Sequence, residues 1–142
     1  MRKIHQKAIS HFVDLCEEIT TPNLSVRRID NPDLSRNYSK YSGIYVLYSY
    51  GLPIAIRQPI AYGKCEINIA NYNNLNPAYF EKIDELSGER IFQKSATTSC
   101  HVSNLKSYIR DNATHTHMRV LSPEKFDWYL KNGFSELGRE SW

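Results

Sequence analysis

The alternation of apolar and polar residues is clearest at positions 43–57, GIYVLYSYGLPIAIR, where it predicts an antiparallel β-hairpin. Apolar runs at 44–48 and 53–56 flank a turn in which Gly51 can supply a positive φ. Both faces of the first arm are apolar, which predicts a central strand. In the second arm only one face is apolar, so Arg57 is predicted to lie on a face that meets solvent.

The rest of the chain shows both helical and strand periodicities. Apolar residues at three- and four-residue steps predict helices at 3–19, 76–88, about 97–110 and 123–133. Shorter apolar or alternating runs predict strands at 24–29, 64–69, 90–94 and 116–121. Residues 24–29 are predicted to form an edge strand, and 64–69 a half-buried third antiparallel strand. These elements predict a single α+β domain over residues 1–142, with helices packed on a mostly antiparallel sheet of about four to five strands.

Composition places the chain among folded globular proteins, with 41% hydrophobic and 23% charged residues. The formal net charge of +3 is smaller than expected for a protein that binds nucleic acid mainly through phosphates. Three cysteines without Cys-x-x-Cys spacing indicate buried thiols in a reducing compartment. No stretch approaches the ~18 apolar residues of a membrane span, and the first residues lack the apolar core of an export signal. A cytoplasmic protein without a membrane partner is expected.

Aromatic and basic residues in the predicted loops form the first candidate site. Tyrosine accounts for ten of the 142 residues, and its apolar ring with a polar tip often anchors a partner. Interleaved with basic residues, such tyrosines can form a protein-binding face or a platform on which nucleobases stack. The candidate binding residues of this group are Tyr38, Tyr41, Tyr50, Arg36, Lys40 and Arg57.

His115 and His117 form a second candidate, because a strand extending back to residue 115 would place both imidazoles on one face. With Cys65 or His101 they can complete a zinc or iron site, although the sequence places no third ligand. The alternative is a pair of surface histidines at the edge of a strand. No cofactor is predicted.

Hydroxyl residues before the third helix form a further candidate. Thr97, Thr98 or Ser99 can cap that helix by accepting hydrogen bonds from its first N–H groups, and His101 then lies in its first turn. Capping alone explains these residue types. The alternative is that Thr97, Thr98 and His101 also contact a partner.

Two stretches together resemble a pattern in small uncharacterised proteins of phages and mobile elements. Residues 48–55, YSYGLPIA, match a SYxTPIA-like hairpin, and residues 94–101, KSATTSCH, match a YSxTTSxH-like segment that opens a helix. The resemblance implies a non-enzymatic protein that binds a host protein or nucleoprotein, in concrete form an anti-defence inhibitor of the anti-CRISPR type.

A second resemblance is to the GIY-YIG nucleases. Gly43-Ile44-Tyr45 is present, Tyr62-Gly63 follows, and Glu81 or Glu85 would supply the metal-binding glutamate of that family. It implies a metal-dependent nuclease or hydrolase as the alternative function, and a small RNA- or DNA-binding protein is the third. The sequence leaves the partner, the oligomeric state and the enzymatic or non-enzymatic nature of the chain open.

Overall fold

Among the residues that the structure describes, six strands form one sheet in which each strand lies beside its neighbours in sequence, in the order β1 to β6. The computed structural model describes residues 3–29, 40–60, 64–71, 91–112 and 116–132. The first five strands pair antiparallel, and the last pair, β5 with β6, is parallel. The strands are β1 (Ile19–Thr20), β2 (Leu24–Arg28), β3 (Tyr45–Ser49), β4 (Leu52–Pro59), β5 (Cys65–Ala70) and β6 (Thr116–Leu121).

Helical segments lie before β1, between β2 and β3, between β5 and β6, and after β6. They are α1 (Lys3–Ser10), which continues into a π-helical turn (His11–Leu15), a 3-10 turn (Lys40–Ser42), α2 (Ile91–Asn112) and α3 (Pro123–Asn132). The predicted α+β class and mostly antiparallel sheet are therefore confirmed, with six strands in place of four to five. Among the described residues, no helix combines the length and apolar character needed to cross a membrane.

The central hairpin forms as predicted. Tyr50 and Gly51 connect β3 to β4, and both have positive φ, 53° and 83°. A two-residue turn with two positive φ angles matches the right-handed twist of the strands that flank it. The prediction of a solvent-facing side is wrong for Arg57, whose side chain is only 7% exposed. The reason is that Arg57 lies against the π-helical turn, where its Nε donates a hydrogen bond to the Val13 carbonyl at 3.1 Å.

Two other strand predictions need correction. β5 is not half-buried, because all six of its residues are buried, on both faces of the strand. It lies between β4 and β6 in the sheet. β2 is not an edge strand, since β1 pairs with its outer side and sets Ile19 opposite Val26. The pattern of alternation within β2 is confirmed, with Leu24 and Val26 buried.

Two helix predictions also need correction. The first helix does not reach residue 19, because Cys16 adopts a left-handed conformation (φ 51°, ψ 54°) that ends the helical turn and directs the chain into β1. Residues 91–94 are not a strand but the first turn of α2. Thr97 and Thr98 therefore lie inside the helix, where the N–H groups they were expected to cap are bonded to the preceding turn. The predicted helix at 76–88 lies outside the described residues.

The core lies between the helices and the sheet. Helix α1 packs on β2 and α2, and the predicted apolar stripe of α2 is buried at Val102, Leu105 and Ile109. The thiols of Cys16 and Cys65 are buried, as expected, whereas Cys100 is exposed on α2. The largest fully buried side chains include Phe12, Phe126 and Tyr129, one from the π-helical turn and two from α3.

Candidate functional site

A buried serine–histidine contact joins α2 to the end of the central hairpin. His101 lies in the middle of α2, and its Nδ1 is 2.7 Å from the hydroxyl oxygen of Ser49, the last residue of β3. His101 is 1% exposed and Ser49 is fully buried. The contact spans 52 positions in the sequence, so it fixes the long helix against the hairpin.

Three further side chains complete this His101 cluster. The ring of His5, from α1, meets the His101 ring edge-on with centroids 4.8 Å apart, and the Tyr50 ring stacks on the His101 ring with centroids 5.9 Å apart. Asn23 Nδ2 lies 3.1 Å from His5 Nε2, and the Asn23 carbonyl accepts a hydrogen bond from the Tyr50 N–H at 3.0 Å. Residues from α1, the β1–β2 region, the hairpin and α2 therefore converge at one point.

Burial determines the electrostatics of the cluster. The pKa of His101 is lowered from 6.5 to about 4, mainly by desolvation and secondarily by the neighbouring His5. His101 is consequently neutral at pH 7. Among the residues that the structure describes, none forms a hydrogen bond with its buried Nε2 atom.

A hydrogen-bonded serine and histidine is also the nucleophile and base arrangement of many hydrolases. Here the Ser49 hydroxyl is fully buried, so it cannot reach a substrate carbonyl in this conformation. A histidine with a pKa of about 4 is also a weak base at neutral pH. The geometry therefore assigns the cluster a structural role, in which it locks α1, α2 and the hairpin together.

A second group of predicted residues lies at the surface. Lys40 begins the 3-10 turn, and its Nζ forms a 2.6 Å ion pair with Glu17 Oε1. This contact lowers the pKa of Glu17 and raises that of Lys40. The Lys40 ammonium also lies 5.2 Å from the centre of the Tyr41 ring, and Tyr41 is 54% exposed. A second pair, Arg27 Nη1 with a Glu18 carboxylate oxygen at 4.0 Å, is separate, because Arg27 shares a sheet face with Val46 and Tyr45 lies on the other face. We call the surface formed by Glu17, Lys40 and Tyr41 the Tyr41 patch.

The residues that carry the nuclease resemblance support this patch. The Tyr45 hydroxyl donates a hydrogen bond to the Lys40 carbonyl at 3.0 Å, and the Arg28 guanidinium lies 5.9 Å from the centre of the Tyr45 ring. A Cβ atom at Gly43 would come within 2.5 Å of Arg28 Nε, which explains why glycine suits that position. The Gly43-Ile44-Tyr45 motif thus has a packing role here. Tyr62-Gly63, Glu81 and Glu85 lie outside the described residues.

The metal candidates are partly described. His117 is exposed on β6, opposite Glu66 of β5, and Cys65 Sγ lies 3.2 Å from the Thr116 hydroxyl. His115 lies outside the described residues. Within the described ranges, no three histidine, cysteine, aspartate or glutamate side chains come together in a group that could hold a metal ion.

Sequence reasoning missed a buried polar row on the sheet. Asn68 of β5 is fully buried, and neither its amide nitrogen nor its amide oxygen finds a hydrogen-bond partner among the described residues. Arg119 lies opposite it on β6, and its Nη1 is 3.8 Å from Oε1 of the nearly buried Glu66. The alternation of β5 suggested a solvated face, whereas the structure buries the residues on both faces of this strand.

The unpaired amide of Asn68 has a measurable consequence. Replacing Asn68 with leucine, which is similar in shape, should raise the free energy of unfolding by about 1–2 kcal/mol, because it removes two buried polar atoms that lack partners. Urea denaturation of both proteins measures this difference. Asn68→Ala is the matched control, since it removes the same atoms but leaves a cavity and should gain little or nothing. A destabilised Asn68→Leu protein would show that the amide has a partner.

The structure separates the predicted site residues into distinct places. Lys40 and Tyr41 lie together at the surface, whereas Tyr50 belongs to the His101 cluster. Arg57 belongs to neither group. Thr97 and Thr98 lie in α2, and Tyr38 and Arg36 lie outside the described residues.

The His101 cluster also contains three residues that the sequence analysis did not identify as site residues: Ser49, His5 and Asn23. The only signal for any of them was Ser49 itself, a polar residue ending an apolar strand. No protein-family model, no curated protein and no solved structure matches this chain. The described residues define an α+β fold with the His101 cluster in its interior and the Tyr41 patch on its surface.

Proposed function

We propose that this chain is a non-enzymatic binding protein whose Tyr41 patch docks on another protein. The observation that carries the proposal is a charge pair beside an exposed aromatic ring. Lys40 Nζ lies 2.6 Å from the Glu17 carboxylate and 5.2 Å from the centre of the Tyr41 ring, while Tyr41 remains 54% exposed. Tyrosine is among the residues that most often dominate the energy of protein interfaces.

The paired charges favour a protein partner over a nucleic acid. Binding to phosphates requires cations that can replace the counterions of the nucleic acid. In this patch Glu17 already compensates the charge of Lys40. A tyrosine beside charges of both signs is instead typical of the polar rim and aromatic anchors of protein interfaces.

In its specific form, we propose that the partner is a host protein or nucleoprotein, and that the chain inhibits a host defence nuclease in the manner of anti-CRISPR proteins. The resemblance to phage and mobile-element proteins over residues 48–55 and 94–101 supports this form. An efficiency-of-plating assay tests it: expression of the chain should restore infection by a phage that a CRISPR-immune strain blocks. Unchanged restriction across the major CRISPR types would contradict the specific form while leaving the protein-binding proposal standing.

The binding proposal predicts a large effect of a single aromatic truncation. Tyr41→Ala should weaken partner binding by at least about tenfold, which corresponds to about 1.4 kcal/mol, because it removes the anchor of the patch. The measurement is a pull-down of the tagged chain from bacterial lysate, with and without nuclease treatment, followed by titration of the captured protein.

Trp128→Ala is the matched control, since Trp128 is an equally exposed aromatic residue (50%) on α3. It should bind as well as the unaltered chain. Captured material that vanishes on nuclease treatment, with an affinity that falls steeply as salt increases, would instead indicate nucleic-acid binding. Equal binding by Tyr41→Ala and the unaltered chain would remove the patch from the interface.

A further inference from the structure

The sheet ends in two very different edges. Among the described residues, β6 pairs only with β5 and is six residues long. The opposite edge is β1, which has two residues, and there the Thr20 hydroxyl accepts a hydrogen bond from Arg27. Long edge strands with unpaired backbone groups are templates for pairing with another chain. The described sheet therefore has one edge suited to association.

The backbone direction along β6 follows from one hydrogen bond. The Asn71 N–H donates a hydrogen bond to the Leu121 carbonyl at 2.8 Å. The backbone C=O of Leu121 therefore points toward β5. In a strand, the N–H and C=O of one residue point the same way, and successive residues point in opposite directions. The outward-facing backbone groups of β6 are consequently those of Thr116, Met118 and Val120.

We propose that β6 pairs antiparallel with β6 of a second copy of this chain, across a two-fold axis at Met118. This register sets Met118 opposite Met118 of the second copy, and Thr116 opposite Val120 of the second copy. Each of these pairs can exchange both of its backbone hydrogen bonds, because all of these residues have outward-facing backbone groups. The two sheets then form one continuous sheet.

Three features favour a second copy as the occupant of this edge. The outward residues are placed symmetrically about Met118, so one register satisfies both chains. Their side chains share one face and include Met118 and Val120, the latter 46% exposed, which gives apolar cross-strand contacts. Arg119 lies beside Glu66 of its own sheet, so its charge is partly compensated when the strands meet. Because β1 is so short, pairing stops at a dimer. This inference is independent of the Tyr41 patch.

Size-exclusion chromatography with light scattering, on the full chain over a range of concentrations, tests the proposal. We expect twice the mass of one chain at high concentration. Val120→Lys should raise the Kd of the dimer by at least about tenfold, because lysine on an edge strand opposes pairing. Ser103→Lys, on the exposed surface of α2, adds the same charge and should leave the mass unchanged.

Met118→Pro is the second variant. It removes an outward N–H, so the β5–β6 ladder remains while the central pair of the dimer is lost. In hydrogen exchange, the amides of Thr116, Met118 and Val120 should be protected at dimer concentrations and exposed on dilution, whereas that of Leu121 stays protected. A monomer at all concentrations, or a dimer that both variants leave intact, would overturn the proposal.

Discussion

Lowering the pH from 7 to 4 should reduce the free energy of unfolding by about 3 kcal/mol through His101 alone. The folded-state pKa of His101 is about 4, below its ordinary value of 6.5. Between these values the unfolded chain binds a proton that the folded chain does not. Acid therefore favours unfolding, and the stability contributed by neutral His101 is complete above pH 6.5 and lost towards pH 4.

Chemical denaturation at a series of pH values measures this effect against two variants. His101→Gln lacks the titrating ring, so its stability should change less between pH 6.5 and pH 4 than that of the unaltered chain. His117→Gln removes an exposed histidine and should keep the full dependence. Carboxyl groups titrate equally in all three proteins, so the differences report on histidine. Parallel curves for His101→Gln and the unaltered chain would show that the pKa of His101 is the same in the folded and unfolded chains.

Arg57→Ala should lower the free energy of unfolding by about 3 kcal/mol. The change removes a buried side chain and a charge-assisted hydrogen bond, and it leaves the buried Val13 carbonyl without its donor. These losses outweigh the gain from removing the buried Arg57 Nη1, which has no hydrogen-bond partner among the described residues. Thermal or urea denaturation measures the loss. Arg57→Met keeps much of the side-chain volume and should recover part of it.

Arg27→Ala serves as the matched control for Arg57, because Arg27 is exposed and its ion pair with Glu18 is long. Exposed pairs of this kind contribute about 0–1 kcal/mol, so a small change is expected. If Arg57→Ala were as mild as Arg27→Ala while partner binding was lost, Arg57 would be an interface residue rather than a structural one.

Locally determined features of the fold were predictable from the sequence. The hairpin turn needs a residue that tolerates positive φ, and Gly51 meets that need. The strand β6 and the start of α3 at Pro123 were also predicted at the right residues, since alternation and an initial proline are local signals.

Features that depend on neighbours in the sheet were not predictable. Alternation shows that Glu66 and Asn68 share a face, but not that this face is buried. The same holds for Arg57, which a distant helical turn covers. His101 was assigned to a helix start because the threonines before it suit a cap, and only the actual length of α2 moves it to the middle of the helix. Its contact with Ser49 joins positions far apart in the sequence, which no local pattern reveals.

The sequential order of the strands also has a kinetic consequence. The first five strands form a meander in which each pairs with the one before it, so their contacts need only modest loop closure. β6 reaches β5 only after the whole of residues 71–115, and closing that loop carries a larger entropic cost. We therefore expect the meander to form first and β6 to dock late. Since β6 carries the edge proposed for self-association, dimerisation would follow completion of the fold and would not compete with it.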